Sequence, residues 1–341
     1  MSADPLRHHG DREATPGLLD LAVNVRGTAP PPALRAALAA SLDGLGRYPD
    51  PTRATAAVAA RHGRAPEEVL LTAGAAEAFV LLARALRPRH ALCVHPSFTE
   101  PEAALRAAGH EVHRLVLDPP YRLDDALDAV PDAADLVVVG NPTNPTGVLH
   151  RDLLRLCRPG RTVVVDEAFL DGVPGEPGSL AGRADLPGLV VVRSLTKTWA
   201  LAGLRVGYLL AAPELVAALR EVQPLWAVST PALVAAEHCS APPALAEAAA
   251  AGEATSRERA RLAAELTGLG LSVTPGSVAP FLLCEAPGFP QVRARLRGTG
   301  IAVRRGDTFP GLGPDHFRTA VRDRAASDRL VGALWAVLAA G

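Results

Sequence analysis

Residues 189–211 read LVVVRSLTKTWALAGLRVGYLLA. Two runs of apolar and β-branched residues, LVVVRS (189–194) and RVGYLLA (205–211), flank a turn that holds Lys197. Runs that are apolar throughout, rather than alternating, belong to strands covered on both faces. Lys197 therefore sits at the end of a buried strand, the rim where open α/β sheets gather ligand chemistry. It is also the only lysine: Lys plus Arg is 35, so the other 34 are arginine. Codon drift toward arginine explains the missing lysines but not the survivor, which is either a chance remnant in a loop or a residue arginine cannot replace. Arginine stays protonated and is a poor nucleophile, whereas a lysine of lowered pKa attacks a carbonyl and forms an imine.

Outward from this turn the same texture recurs in EVLLTAG (68–74), ALCVHP (91–96), DLVVVGNP (135–142) and TVVVDEAF (162–169). Helical stretches lie between them: EAFVLLARALR (77–87), EPEAALRAAG (100–109) and RDLLRLCR (151–158). Alternation of this kind through about residue 212 predicts an α/β fold with a mostly parallel, doubly wound sheet. After residue 230 the chain turns Ala-rich and helical, with a break at Pro242–Pro243. Then VAPFLLCE (278–285), a helix near 290–297, IAVRRGD (301–307), FRTAVRD (317–323) and a last helix predict a smaller α+β unit. The expected division is a large domain over 25–235, with 1–24 and 236–341 forming the small one.

A net charge of −1 gives no electrostatic reason to expect nucleic acid or an anionic membrane as partner. Cys93, Cys157, Cys239 and Cys284 are scattered in apolar stretches and read as buried free thiols of a reducing compartment. The polar start MSADPLRHHGDREATPG is not a signal peptide, and no apolar run reaches the roughly 18 residues of a membrane span. A soluble, cytoplasmic protein is expected, with His8 and His9 in a mobile tail. HEVH (110–113) is not the H-E-x-x-H zinc motif, and no metal is assigned.

Several strand ends carry residues suited to one ligand. In LLTAGAAEAF, Gly74, Ala75 and Ala76 form a strand-to-helix turn, either an ordinary tight turn or a phosphate site at a helix N-terminus. Asp166 ends an almost wholly apolar strand and needs a partner, which is either a protonated pyridine nitrogen or an internal arginine. GNPTNPTG (140–147) displays two asparagines, Ser194 and Thr196 add hydroxyls, Arg205 adds a guanidinium, and Phe98 offers a face for stacking. Phosphate donors, a buried acid and an imine-forming lysine together describe pyridoxal 5′-phosphate.

On these motifs the chain resembles the fold-type I aminotransferases, within them the branch of histidinol-phosphate aminotransferases and threonine-phosphate decarboxylases. RSLTKTWALAGLRVGYLLA is most similar to actinobacterial CobC-like proteins. The resemblance runs from LAVNVRGTAPPPAL to FRTAVRDRAASDRL. It implies that Lys197 forms the imine with the cofactor, Asp166 pairs with the ring nitrogen, Asn144 bonds the ring's 3′-oxygen and Phe98 stacks on the ring. It implies that Ala75, Ala76, Ser194, Thr196 and Arg205 hold the phosphate. Tyr48, in RYPDP, then reaches the other subunit's phosphate in a homodimer. Arg318, in FRTAVR, then grips a substrate carboxylate, for which its bidentate fork is suited. Two features depart from the histidinol-phosphate pattern: Phe169 stands where a tyrosine is usual, and the early N-E-N-P-like motif appears as NVRGTAP with Asn24 kept. Both lean toward the decarboxylase branch, in which Arg304, Arg305 or Arg322 meets a substrate phosphate or stays solvated.

The leading expectation is therefore decarboxylation of L-threonine O-3-phosphate in cobalamin assembly. The alternative is a histidinol-phosphate-type aminotransferase using 2-oxoglutarate. A cofactor-sensing transcription regulator would need a DNA-binding module and a basic patch that the sequence does not show, and a dinucleotide-binding dehydrogenase would need a strand–G-x-G-x-x-G–helix unit that it does not show either.

Overall fold

The computed structural model describes residues 5–339. In chain order come β1 (Leu19–Leu21), α1 (Pro32–Ser41), α2 (Thr52–His62), β2 (Val69–Thr72), α3 (Ala75–Ala85), β3 (Ala91–His95), α4 (Glu100–Ala107), β4 (Val112–Val116), β5 (Leu136–Gly140), β6 (Thr162–Asp166), β7 (Leu189–Ser194) and β8 (Gly207–Leu210). There follow α5 (Pro213–Glu221), α6 (Thr230–Ser240), α7 (Pro242–Gly268), β9 (Ser272–Val273), β10 (Phe281–Glu285), α8 (Val292–Gly298), β11 (Ile301–Arg305), β12 (His316–Ala320) and α9 (Arg324–Ala339).

The larger sheet has seven strands in the order β2-β8-β7-β6-β5-β3-β4. Only β8 runs against its neighbours; the other pairings in the row are parallel. Its faces are buried on both sides, as the continuous apolar runs predict. Val137, Val139, Val163, Val165 and Val191 pack with Val58 of α2 and Ala235 of α6. The intervening Val138, Val164, Val190 and Val192 pack with Phe79 and Leu82 of α3 and Leu105 of α4. Each such side chain contributes about 1.5–3 kcal/mol on burial.

The smaller sheet has five strands, β1-β11-β12-β10-β9, and is antiparallel except where β1 lies parallel to β11. Its core joins Leu21 to Leu262 and Leu266 of α7, Leu296 of α8 and Leu330 and Leu334 of α9. The N-terminal strand is thus built into a sheet otherwise made by the chain's end.

Pro242 and Pro243 start α7, their rings fitting the first turn where no amide partner is needed. RDLLRLCR forms only a short 3₁₀ turn, Leu153–Leu156, not the expected α-helix. Leu153 and Leu156, three apart, are its buried pair, which suits a three-residue repeat, and Pro159 follows closely. The expected mobile tail at His8 and His9 is also corrected. His8 Nε2 lies 2.9 Å from Glu13 Oε1 and His9 Nε2 2.5 Å from Glu100 Oε1. Among the described residues no helix is long and apolar enough to cross a membrane.

Candidate active site

Strand register assembles the site. Gly140, Asp166 and Val192 are neighbours across β5, β6 and β7. Thr72, Gly207 and Ser194 form a second row across β2, β8 and β7. The loops leaving these rows carry Gly74, Asn144, Lys197 and Arg205, residues far apart in sequence.

The second row builds an anion cradle. α3 opens at Ala75 with Gly74 as N-cap and no side chain capping it, so the first-turn amides of Ala75 and Ala76 face outward. Gly74 has φ 83°, a conformation that favours glycine, and Arg205 Nη2 closes to 2.6 Å of where a Cβ would stand. Arg205 itself has φ 59°, a left-handed conformation that costs a non-glycine residue roughly 1–3 kcal/mol and is retained mainly at functional sites. Across the row the Ser194 and Thr196 hydroxyls are 2.8 Å apart. Backbone amides, two hydroxyls and an exposed guanidinium converge, as a phosphate requires.

The first row supplies acid and amine. Burial pushes the Asp166 carboxyl up to about 6, against the Ala168 amide donating to Oδ1 at 3.0 Å and the Lys197 charge. Burial likewise lowers the Lys197 amine to about 8, helped by the Arg318 and Arg205 cations and opposed by Asp166. Its Nζ stands 5.9 Å from the Phe169 ring centroid, and Phe169 packs edge-on against Phe281 at 5.0 Å. An amine near neutrality beside a buried acid is equipped to attack a carbonyl and then to move protons.

Arg318, on β12, reaches this group from the smaller sheet. Its Nη1 donates to Asn144 Oδ1 at 2.5 Å and its Nη2 to the Ala22 carbonyl. Asn24, its amide oriented to satisfy both groups, accepts from Arg318 Nε and Nη1 at 3.2 and 3.1 Å. Arg318 also lies over the Phe281 ring at 5.3 Å. Asn24, Asn144, Arg318 and Lys197 therefore belong to one cluster. Arg322 donates to the carbonyls of Asp20, Val23 and Val25 and lines a cavity shared with Lys197. Arg304 donates to the His8 and Arg305 carbonyls and lies over Phe309, while Arg305 pairs with Asp307. Phe98 is part-buried, 5.4 Å from the His9 ring and 6.4 Å from Phe79. Tyr48 is exposed, stacked on Trp226 at 4.1 Å.

Strand alternation puts a second polar layer behind these residues. Glu167, Arg193, Thr198 and Tyr208 each adjoin a residue of the site, and all are buried. Arg193 Nη1 donates to Glu167 Oε2 at 2.8 Å and Nη2 to Glu176 Oε2 at 2.6 Å. Arg61 donates to the other Glu176 oxygen at 2.6 Å, and Thr198 to Asp171 at 2.8 Å. The internal arginine near β6 thus pairs with Glu167 and not with Asp166. Sequence reasoning missed this layer, although a charged residue inside LVVVRS was a signal. It also missed Arg26, the one charged residue in LAVNVRGTAPPPAL, whose amide donates to the Lys197 carbonyl at 2.9 Å.

The sequence model of the family described as aminotransferase class I and II matches residues 16–334. A histidinol-phosphate aminotransferase of Mycobacterium bovis is 53% identical over 321 residues, covering 93% of this chain and 87% of that protein. A threonine-phosphate decarboxylase of Salmonella typhimurium is 34% identical over 335 residues, covering 94% and 91%. The crystal structure of the histidinol-phosphate aminotransferase from Clostridium acetobutylicum superposes with a TM-score of 0.86 at 25% identity, covering 95% of this chain and all of that one.

Proposed function

The chain belongs to the class I and II aminotransferase family, and on that footing we propose that it is a histidinol-phosphate-type aminotransferase exchanging amino groups with 2-oxoglutarate and glutamate. Its cofactor is pyridoxal 5′-phosphate. The site fits that group: at Gly74 the Arg205 guanidinium closes to 2.6 Å of where a Cβ would stand, and an acid raised to about 6 and an amine lowered to about 8 stand at the ends of β6 and β7. The observation that carries the substrate class is the 53% identity to a histidinol-phosphate aminotransferase, against 34% to a threonine-phosphate decarboxylase. The order of the two expectations drawn from sequence is thereby reversed.

In this reading Ala75, Ala76, Ser194, Thr196 and Arg205 hold the cofactor phosphate, Phe98 stacks on the ring, Asn144 bonds its oxygen and Asp166 keeps its nitrogen protonated. When bound, the cofactor supplies an electron sink for the substrate's Cα. Lys197 would be the base that moves the Cα proton, a task for which an amine lowered to about 8 is suited. Arg318 holds the carboxylate of glutamate or 2-oxoglutarate with its guanidinium fork. Asn24 and Asn144 fix that fork's plane. These contacts would orient the bound donor, and that orientation would decide between proton loss and loss of carbon dioxide. The working unit is a homodimer, with Tyr48 of one copy reaching the phosphate cradle of the other.

Decarboxylation of a phosphorylated amino acid keeps one observation in its favour, the hydroxyl-free ring of Phe169 beside Lys197. The assay that separates the two supplies histidinol phosphate and 2-oxoglutarate and reads glutamate, then supplies O-phosphothreonine without a keto acid and reads carbon dioxide. Glutamate without gas is expected; gas from the second mixture restores the decarboxylase.

A further inference from the structure

A cavity opens beside Lys197, lined by Asn24, Arg26, Phe169, Arg322 and small residues of α7 that include Gly252. Among the described residues it carries three cationic side chains and no carboxylate on its wall. Such a wall selects an anion, and the question is which cation still has donors to offer.

Arg322 spends its guanidinium on three main-chain carbonyls. Arg26 differs. Its backbone amide donates to the Lys197 carbonyl at 2.9 Å, and its Nε to the Thr198 carbonyl at 2.8 Å. Those bonds fix the guanidinium plane while leaving the two terminal nitrogens to one loose ion pair, Nη2 to Glu247 at 3.7 Å, with both side chains more than a third exposed. Solvent screens a pair of that kind strongly. A pre-oriented fork with only a screened partner is what bidentate recognition of an oxyanion uses. On the α7 side only small residues, Ala248, Ala251 and Gly252, line the cavity.

We propose that Arg26 binds the phosphate of the amino donor, its terminal guanidinium nitrogens closing on that dianion in the cavity beside Lys197. The inference rests on the phosphorylated donor proposed above. Arg318 remains the group that binds the carboxylate, so donor phosphate and acceptor carboxylate are held by different arginines. Because Arg26 also clasps the carbonyls of the lysine turn, the donor's phosphate is tied to the turn that presents the reacting amine.

The test uses the holoenzyme, with histidinol phosphate, its dephosphorylated counterpart histidinol, and inorganic phosphate as competitive inhibitor. For Arg26→Gln, kcat/KM on histidinol phosphate should fall roughly 10- to 100-fold, kcat/KM on histidinol far less, and inhibition by phosphate should weaken in parallel. Arg26→Lys, which keeps charge but not the fork, should fall between. Equal losses on both donors, with phosphate inhibition unchanged, would show that Arg26 only braces the turn and would overturn the inference. A wild type that does not distinguish the two donors sinks the donor reading instead, and the phosphate arm still decides Arg26. Should Arg26→Gln fail to fold, the same two ratios are read from Arg26→Lys.

Discussion

The Lys197 amine is the most exacting group in the molecule, because its chemistry needs a pKa that its own burial makes costly. Burial and two nearby guanidiniums bring it from 10.5 to about 8. The unfolded chain binds more protons than the native one between those values, so this group's contribution to stability rises with pH across that window. Below about 8 the native state bears the full cost, at most about 3 kcal/mol. Cofactor-free Lys197→Met should therefore melt several degrees above the cofactor-free wild type at pH 7, and the gap should shrink toward pH 10. Melting curves at the two pH values check this, and a gap independent of pH contradicts it. Asp166 has the reverse preference, a carboxyl raised to about 6 by burial, and a protonated ring nitrogen is the partner that makes its charge worth burying. Asp166→Asn should lower kcat by about 10²–10³-fold, the scale on which breaking a buried ion pair is felt, while the chain still folds. Single-turnover kinetics would expose the loss; retention of near-normal rates would remove the acid from the proposed mechanism.

At the scale of elements, the site's precision comes from strand ends held by the layer behind them. The Arg193–Glu167 pair joins the ends of β6 and β7 one residue from Asp166 and Ser194. Arg193→Met leaves Glu167 buried without its cation and Glu176 with Arg61 alone, and should cost about 3–5 kcal/mol. Adding Glu167→Gln should return part of that, and a urea melt of the single and double variants measures it. Gly207 is the other joint. A Cβ there would stand 2.7 Å from the Arg193 carbonyl and 3.0 Å from the Ala75 amide, wedging β8 against the cradle. Gly207→Ala should weaken cofactor binding about tenfold or more, since overpacking costs roughly 1–3 kcal/mol; a fluorescence titration with pyridoxal phosphate reads it directly. Elements of this kind were legible in sequence where they are buried on both faces, as in β5, β6 and β7. β4 was not, because only its first residue is fully buried and polar His113 and Arg114 interrupt its apolar run. α1 and α2, rich in alanine, carry little periodic contrast to read. Lys197, Asp166, Asn144 and Ser194 were legible because each follows an apolar run. Arg26 and the Arg193–Glu167 pair were not, because which carbonyl or acid meets a guanidinium is settled only by the packed fold.

At the scale of the whole molecule, the two sheets share chain unequally, and the strand distribution supports the proposed division into 25–235 and 1–24 with 236–341. Of the large apolar side chains left exposed, Val116, Leu154 and Trp335 stand apart and the rest gather in one region. Leu42, Leu45, Tyr48, Leu225 and Trp226 are the large apolar side chains exposed near the ends of α1 and α5, and Tyr48 stacks on Trp226. Exposed apolar residues scattered singly need no explanation, but a stacked pair amid leucines marks a surface meant to be covered. A second copy of the chain is the proposed cover, because the cradle already holds Arg205 and two hydroxyls but would gain a phenol only from outside. Light scattering at micromolar concentration should find a dimer. Leu225→Glu, which places a charge in a desolvated contact, should yield monomers that also bind pyridoxal phosphate more weakly. Tyr48→Phe should keep the dimer and still lose cofactor affinity, by roughly the 0.5–1.5 kcal/mol of one hydrogen bond. A fully active wild-type monomer would refute the shared site. A dimer whose cofactor affinity ignores Tyr48→Phe would keep the interface and remove the phenol from it.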